Sequence, residues 1–274
     1  MNPLFKWVGG KRWYAREATA LIRKHLTGTY YEPFLGGGAV FFALRPQRAV
    51  LSDAVEALIS TYLQIQADPI KVWEWMNAVG KGSNSKEHYL LQRSRFNELL
   101  TSGQYTSEFA GLFVYLNKTG FNGLWRQNGN GEFNVPFGDY AKIRLPTISS
   151  FIDASKALIA ADIRCVTSSK DTFDIINEAG EGDVVFADPP YLNLYGDYDG
   201  LFETGREFHE KLAIELWRAV VRGAVVLVTN TDCSDTRKWY GAFAEIKTFN
   251  RSQSIAGTVE GRKRWNQLLA VGMP

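Results

Sequence analysis

The stretch Asp188-Pro189-Pro190-Tyr191 directly follows Val184-Val185-Phe186-Ala187. The apolar, β-branched run predicts a buried strand, which puts a carboxylate, two prolines and a tyrosine at a strand's carboxyl end. Ligands of open α/β sheets bind at that end, and the prolines remove N–H donors while their carbonyls can still accept. The turn suits an amino group on an aromatic base. Asp188 and the Pro189 carbonyl can accept its hydrogens and stabilise the positive charge that develops on it, while Tyr191 stacks on the base. The alternative is a plain strand-terminal turn with a capping Asp.

A second motif lies upstream, where a predicted strand over residues 29–34 runs into a glycine turn at 36–38 and an apolar helix. Glycines let the backbone approach a ligand, and a helix start offers unpaired N–H groups, although helix–strand packing explains such a turn equally well. The next predicted strand, 49–53, ends in Asp53, as a unit that binds ribose hydroxyls requires. This pattern fits a dinucleotide or S-adenosylmethionine, and the glycine run departs from Gly-x-Gly-x-x-Gly, which weighs against the dinucleotide.

With these motifs in this order, the sequence resembles the Dam-type adenine-N6 DNA methyltransferases, in the class whose cofactor motif precedes a target-recognition domain and then the catalytic motif. The matching segments are 6–11, 32–38, 52–53, 115–126, 131–138 and 188–191. The resemblance runs nearly end to end. It implies an α/β fold, a Rossmann-like S-adenosylmethionine-dependent methyltransferase sheet with an inserted helical and hairpin target-recognition domain. We expect residues 1–56 and 145–274 to form the catalytic domain and 57–144 the recognition domain.

The resemblance also implies the reaction and its residues. The methyl group of S-adenosylmethionine would pass to a flipped adenine in double-stranded DNA, in a GATC or GAT-containing site, leaving S-adenosylhomocysteine and using no metal. The class includes enzymes of restriction-modification systems. The implied catalytic residues are Asp188, Pro189 and Tyr191. The implied cofactor contacts are Trp7, Lys11, Phe34, Gly36, Gly38, Asp53 and Asp188. The implied DNA contacts are Lys6, Phe121, Asn122, Leu124, Arg126, Asn134 and Pro136.

The insert has its own predicted structure. Helical patterns cover 58–66, 70–79, 86–100 and 107–116, and two Asn-Gly pairs predict a hairpin over 125–135. Arg126 beside this turn can pair bidentately with guanine, Asn122 and Asn134 with adenine or phosphate, and Leu124 and Pro136 can contact a thymine methyl. Phe121 could wedge into the base stack. The alternatives are a phosphate anchor or solvated side chain for Arg126 and a core position for Phe121.

The composition agrees with a nucleic-acid enzyme and limits where its positive charge can lie. The net charge is +2 and the sequence pI is near 8.4, so positive charge for nucleic acid must be local. The local clusters are Lys6, Lys11, Arg12 and Arg16, and then Arg251, Arg262, Lys263 and Arg264.

The two cysteines, Cys165 and Cys233, are too few for a disulfide framework or zinc site. Without an apolar leader or an apolar run of ~18 residues, we expect a cytoplasmic protein that does not span a membrane. We also expect a monomer in solution.

Some positions depart from the family pattern. Residues 192–200 are glycine-rich where close relatives have an aromatic-rich segment, and Asn130 and Asp139 replace basic residues. Two rival classes stay open at this point: a Rossmann oxidoreductase, which leaves the Asp-Pro-Pro-Tyr turn unexplained, and a DNA-binding protein with an inactive methyltransferase fold, against which intact Asp53, Asp188 and Tyr191 argue. RNA or a protein amide could replace DNA as acceptor.

Overall fold

The computed structural model describes residues 2–82, 84–192, 205–252 and 264–274, the side chains of 250–252, 264 and 265 excepted. The predictions for residues 193–200 and for the basic cluster that begins at Arg251 therefore concern positions whose side chains, or whole residues, lie outside this description.

A seven-stranded sheet organises the α/β fold. Its strands are β1 (Tyr30–Glu32), β2 (Ala49–Asp53), β3 (Ala161–Cys165), β4 (Val184–Ala187), β5 (Val225–Thr231), β6 (Glu245–Ser252) and β7 (Arg264–Gly272). The spatial order is β3-β2-β1-β4-β5-β7-β6. Strand β1 pairs in parallel with β2 and β4, β4 pairs in parallel with β5, and β7 runs antiparallel to β5 and β6. The α/β fold expected from the sequence is confirmed, with a sheet that is mostly parallel and has antiparallel strands at one edge.

Helices connect these strands in the part of the chain described, and five consecutive helices lie between β2 and β3. They are α1 (Ala15–His25), α2 (Ala39–Leu44), α3 (Glu56–Ala67), α4 (Pro69–Gly80), α5 (Lys86–Thr101), α6 (Ser107–Thr119), α7 (Ile148–Leu158), α8 (Ser169–Asn177), α9 (Arg206–Val221) and α10 (Ser234–Gly241). The four helices predicted for the insert are α3 to α6. Three of them begin at side-chain caps, Asp68, Ser85 and Thr106, each of which accepts a backbone N–H of the first turn.

The hairpin predicted over 125–135 is a chain reversal with one bridge pair, Gln127 with Phe133, rather than a ladder. Its tip is organised by Asn128, whose Oδ1 accepts the N–H groups of Asn130 and Glu132, both at 3.0 Å. The two arms also share backbone hydrogen bonds, from Asn128 N–H to the Glu132 carbonyl at 2.9 Å and from Asn134 N–H to the Arg126 carbonyl at 3.0 Å.

The chain divides into two compact units. The first comprises Met1–Thr19, Gly36–Pro46 and Val55–Ile163, and the second comprises Ala20–Leu35, Gln47–Ala54 and Arg164–Pro274. The expected recognition domain, 57–144, lies wholly in the first unit, together with the glycine turn. The second unit has its own apolar core between the sheet and helices α8 and α9. None of the helices described is both long and apolar enough to span a bilayer.

Candidate active site and nucleic-acid interface

Within the second unit, the parallel pairing aligns the carboxyl ends of β4 and β5. Ala187 is the register partner of Val228, so the next residues, Asp188 and Thr229, are neighbours. The Thr229 hydroxyl donates a 2.6 Å hydrogen bond to Asp188 Oδ1. Thr229 is buried, whereas Asp188 is half-buried. The bond holds the Asp188 carboxylate in one orientation at the sheet edge, and a carboxylate has about four acceptor sites, so one such bond does not exhaust its capacity for a ligand.

The ends of β1 and β2 are joined at the same edge. Leu35 N–H donates to the Ser52 carbonyl at 2.8 Å, and the buried Ser52 hydroxyl donates to the Pro33 carbonyl at 3.1 Å. These bonds bring Phe34 and Asp53 to the edge together. The Phe34 ring packs edge-on against Phe208, with centroids 6.3 Å apart, and Asp53 is half-buried. A carboxylate and an aromatic ring are thus available beside the strand ends.

The glycine turn lies in the first unit and has left-handed backbone at Gly36 (φ 48) and Gly38 (φ 64). A Cβ at Gly36 would lie 2.6 Å from Trp7 Cδ1, and one at Gly37 would lie 3.2 Å from Trp7 Cβ. Both the dihedral angles and the close approach therefore require glycine. The close approach seen here is to the Trp7 side chain, which supports the packing interpretation of the turn beside the ligand-binding one.

Lys11 follows Trp7 in a tight turn of the same unit. Gly10 N–H donates to the Trp7 carbonyl at 3.2 Å, and Lys11 Nζ donates to the Gly9 carbonyl at 2.7 Å. The Lys11 side chain is buried, at 2% exposure. A buried ammonium is costly unless it is hydrogen-bonded, so this lysine differs from a solvated surface lysine and has a specific place in the turn.

The predicted DNA contacts of the first unit are assembled around Asn117. Its Oδ1 accepts Lys6 N–H and its Nδ2 donates to the Lys6 carbonyl, both at 2.8 Å, while Nδ2 also donates to the Gly123 carbonyl at 3.1 Å. Asn122 has left-handed backbone (φ 54), and its N–H donates to the Tyr140 hydroxyl at 2.9 Å. Lys6 Nζ lies 4.7 Å from the centre of the Tyr140 ring. The structure thus brings Lys6 and Asn122 together.

Arg126 and Asn134 pair across the chain reversal. Arg126 Nε donates to Asn134 Oδ1 at 2.6 Å and Nη2 donates to the Asn134 carbonyl at 3.1 Å. A guanidinium has five N–H donors, so these bonds orient the group and leave others for a base or phosphate. Phe121 is 42% exposed, which contradicts the core alternative, and its N–H donates to the Pro136 carbonyl at 2.9 Å. Leu124 is half-buried.

Helix α5 holds the returning arm of this reversal through three residues spaced four apart. Tyr89 and Arg93 donate to the Val135 carbonyl at 2.9 and 3.0 Å. The Asn97 side chain pairs with both backbone groups of Phe133, at 2.9 and 3.1 Å. Spacing of four places these residues on one helix face, so the spacing itself is a signal that the sequence contains.

The structure also contains a basic cluster, which we define by Lys6, Arg12 and Lys118. Lys6 and Arg12 were predicted from the sequence as basic cluster residues, but Lys118 was not. Lys118 lies in the last turn of α6 and is half-buried. Burial, followed by the positive charges of Arg12 and Lys6, lowers the pKa of Lys118 to about 8. Three cations that converge at this cost are typical of an anion-binding surface. Lys118 lies within segment 115–126, which resembles the methyltransferase family, so this resemblance is the sequence signal that could have predicted its role.

Comparison with known proteins identifies the family. A model of the D12 class of N6 adenine-specific DNA methyltransferases matches residues 7–255. The chain is 32% identical to the DNA adenine methylase of Vibrio cholerae serotype O1 over 282 residues and to that of Escherichia coli over 285, covering 100% of this chain and 96% of each relative. It is 34% identical over 194 residues to a Type II methyltransferase of Lactococcus lactis subsp. cremoris, covering 71% and 67% of the two chains. The chain belongs to the D12 class.

A D12 enzyme is an adenine-specific DNA methyltransferase that uses S-adenosylmethionine, and the family assignment excludes the oxidoreductase alternative. The side chains at the sheet edge fit that cofactor, because a half-buried carboxylate at the end of β2 suits ribose hydroxyls and the Phe34 ring suits a purine. Among the residues described, no three His, Cys, Asp or Glu side chains are grouped as metal ligands would be. Cys165 and Cys233 are not joined by a disulfide bond.

Proposed function

We propose that this D12 enzyme methylates N6 of an adenine that it flips out of double-stranded DNA, within a GATC or GAT-containing site. The observation that carries the proposal is the oriented carboxylate of Asp188, held by Thr229 at the carboxyl edge of the sheet and followed by Pro189, Pro190 and Tyr191. An adenine amino group is a weak nucleophile, and it needs acceptors for its hydrogens and for the charge that develops on nitrogen.

In this proposal the chain supplies positioning and charge. Asp188 and the Pro189 carbonyl accept hydrogen bonds from the two amino hydrogens, and the Tyr191 ring stacks on the base. As the methyl group passes from sulfur to N6, S-adenosylhomocysteine leaves and one amino proton is lost to solvent. The cofactor supplies an electrophilic methyl group on a sulfonium. Asp53 would hold the ribose of the cofactor and Phe34 would contact its adenine; Trp7, Lys11, Gly36 and Gly38 are the other proposed cofactor contacts.

The first unit supplies the proposed recognition surface. Arg126, oriented by Asn134, reads a guanine edge, and Asn122 pairs with adenine or phosphate. Leu124 and Pro136 contact a thymine methyl. Exposure of the Phe121 ring supports a wedge role, in which the side chain fills the space that a flipped base leaves and offsets an unstacking cost of a few kcal/mol.

The basic cluster supports phosphate binding. An anion beside Lys118, Arg12 and Lys6 would relieve their mutual repulsion, so the cost of holding three cations together is recovered when DNA binds. We assign residues 57–144 to target recognition and 1–56 with 145–274 to catalysis, and we expect the enzyme to act as a monomer in the cytoplasm.

The proposal is tested by treating random-sequence duplex DNA with enzyme and cofactor and then sequencing it for N6-methyladenine. The expected result is methylation confined to adenines in GATC or in a wider set sharing GAT. Methylation with no common GAT core, or at cytosine, would refute the site assignment. Parallel reactions with RNA duplexes of the same sequence test the choice of acceptor.

A further inference from the structure

Behind the Asp-Pro-Pro-Tyr turn lies a buried polar cluster within the second unit, consisting of Asn230, His209, Thr231 and Tyr240. All four side chains are buried, and Asn230, His209 and Tyr240 are at 0% exposure. Polar groups in a core are costly unless they are hydrogen-bonded, so the bonds made within such a cluster restrict the arrangement of the groups around it.

The amide of Asn230 has partners on both of its polar atoms. Its Oδ1 accepts Leu192 N–H at 3.3 Å and Thr231 N–H at 2.8 Å. Its Nδ2 lies 3.2 Å from both His209 Nδ1 and the Tyr240 hydroxyl. Because backbone N–H groups can only donate, Oδ1 must face Leu192 and Thr231, and Nδ2 must face the imidazole. His209 Nδ1 therefore accepts, and the ring proton is on Nε2.

His209 is the member of the cluster whose ring lies near Pro190 of the turn. The Pro190 carbonyl is near enough to favour the protonated ring, although the buried Nε2 makes no hydrogen bond of standard geometry to any residue described. The ring lies parallel to Trp239, with an interplanar angle of 5° and centroids 6.5 Å apart. Burial lowers the pKa of His209 to about 4, so the ring is neutral at physiological pH and keeps the tautomer that Asn230 requires.

Thr231 completes a clamp on Leu192. Its hydroxyl donates to the Leu192 carbonyl at 3.1 Å, while Asn230 accepts the N–H of the same residue. Thr229, one position before Asn230 on β5, binds Asp188. Three consecutive residues of β5 thus bind both ends of the segment 188–192 through their side chains, and the middle of that segment, the proposed base-contacting part, lies between the two attachments.

We propose that Asn230 and Thr231 are positioning residues for methyl transfer, which set the backbone of residues 190–192 and through it the directions of the Pro189 carbonyl and the Tyr191 ring. This inference rests on the proposed function, in which residues 188–191 receive the adenine. Neither side chain contacts the base. Their effect is on the geometry in which the amino group is presented, so it falls on the chemical step rather than on binding.

The sharpest test uses Thr231→Val, which replaces the hydroxyl with a methyl group of similar size, and Thr231→Ser, which restores the hydroxyl. Asn230→Ala is the stronger perturbation. Tyr240→Phe is the matched control, because it removes a hydroxyl from the same cluster that does not bind residues 188–192. Each variant is assayed for single-turnover methylation of duplex DNA, for DNA and S-adenosylhomocysteine affinity, and for thermal unfolding.

We expect Thr231→Val to lower the single-turnover rate about tenfold and Asn230→Ala about 100-fold, with both affinities within threefold of wild type. Thr231→Ser should recover the rate, and Tyr240→Phe should keep it within threefold. Folded Thr231→Val enzyme with a rate within twofold of wild type, or Tyr240→Phe enzyme as slow as Thr231→Val, would overturn the inference. Asp188→Ala serves as the reference: if that variant also keeps the wild-type rate, the proposed function fails rather than the positioning role alone.

Discussion

Replacing Lys118 by methionine should stabilise the free enzyme while weakening its binding to DNA. Lys118 is half-buried beside Arg12 and Lys6, and its pKa is lowered from 10.5 to about 8. In the pH window between 8 and 10.5 the unfolded chain binds a proton that the folded chain lacks, so stability rises with pH through that window. Below pH 8 the charged lysine imposes its full cost on folding, and an uncharged methionine side chain of similar length removes that cost.

The lowered pKa sets the size of the effect. A difference of about 2.5 pKa units corresponds to roughly 3 kcal/mol at pH 7, an upper value because neighbouring side chains can relax. The gain in unfolding free energy should fall by roughly half or more at about pH 9.5, where most unfolded-state lysine is still charged and the folded-state lysine is not. Binding should change in the opposite direction: losing one phosphate contact lowers the slope of log K against log salt by about one unit.

Urea unfolding at about pH 7 and pH 9.5 and a salt series of DNA titrations measure both effects. Lys71→Met is the matched control, because Lys71 is exposed on α4. It should leave stability and the salt slope nearly unchanged. A Lys118→Met enzyme that is no more stable than wild type at neutral pH, and that binds DNA with the wild-type salt slope, would show that the cluster is neither strained nor a phosphate site.

Three further results are expected. Asp53→Ala should weaken S-adenosylmethionine binding by about 1.5–3 kcal/mol in calorimetry, the scale of a hydrogen bond to a charged group, and unchanged affinity would make Asp53 a structural residue. Arg126→Ala should relax sequence preference at one position of the site by ~1–3 kcal/mol, whereas an unchanged motif with uniformly lower rates would favour a phosphate contact. Because the folded-state pKa of His209 is lowered from 6.5 to about 4, its contribution to stability is present above pH 6.5 and is lost as pH falls toward 4, by about 3 kcal/mol, and His209→Gln should flatten that part of an unfolding series.

Local sequence patterns were sufficient to predict β2 and β4, two strands of the parallel part of the sheet. Val184–Ala187 and Ala49–Asp53 are strands with the predicted bounds, because each is a short run of apolar and β-branched residues that ends at a polar one. Strand β1 is shorter than the predicted 29–34, because Pro33 has no N–H to donate and the N–H of Leu35 binds the Ser52 carbonyl. The motifs and their order along the chain were also sufficient to indicate the family of adenine-N6 DNA methyltransferases.

Features that depend on distant contacts could not be predicted in this way. The approach of Gly36 to Trp7 joins residues 29 positions apart, and the clamp of Asn230 and Thr231 on Leu192 joins residues nearly 40 apart. A glycine or an asparagine in the sequence does not reveal which partner it will meet. Helix α10 has no long apolar stripe, so its periodicity gives little signal, and its start depends on Thr236, whose hydroxyl binds the Thr231 carbonyl at 2.6 Å.

The central claim, that Asp188 presents an adenine amino group for methylation, is tested most directly by single-turnover transfer of labelled methyl from S-adenosylmethionine to duplex DNA. Wild-type enzyme should label N6 of adenine, and Asp188→Ala and Asp188→Asn should each lose ~10²–10³ in rate or more, because the developing charge loses its carboxylate. Cofactor titration and thermal unfolding of the same variants establish that they are folded, with Asp188→Asn expected to be the less destabilised. Transfer within tenfold of wild type by both folded variants would contradict the account.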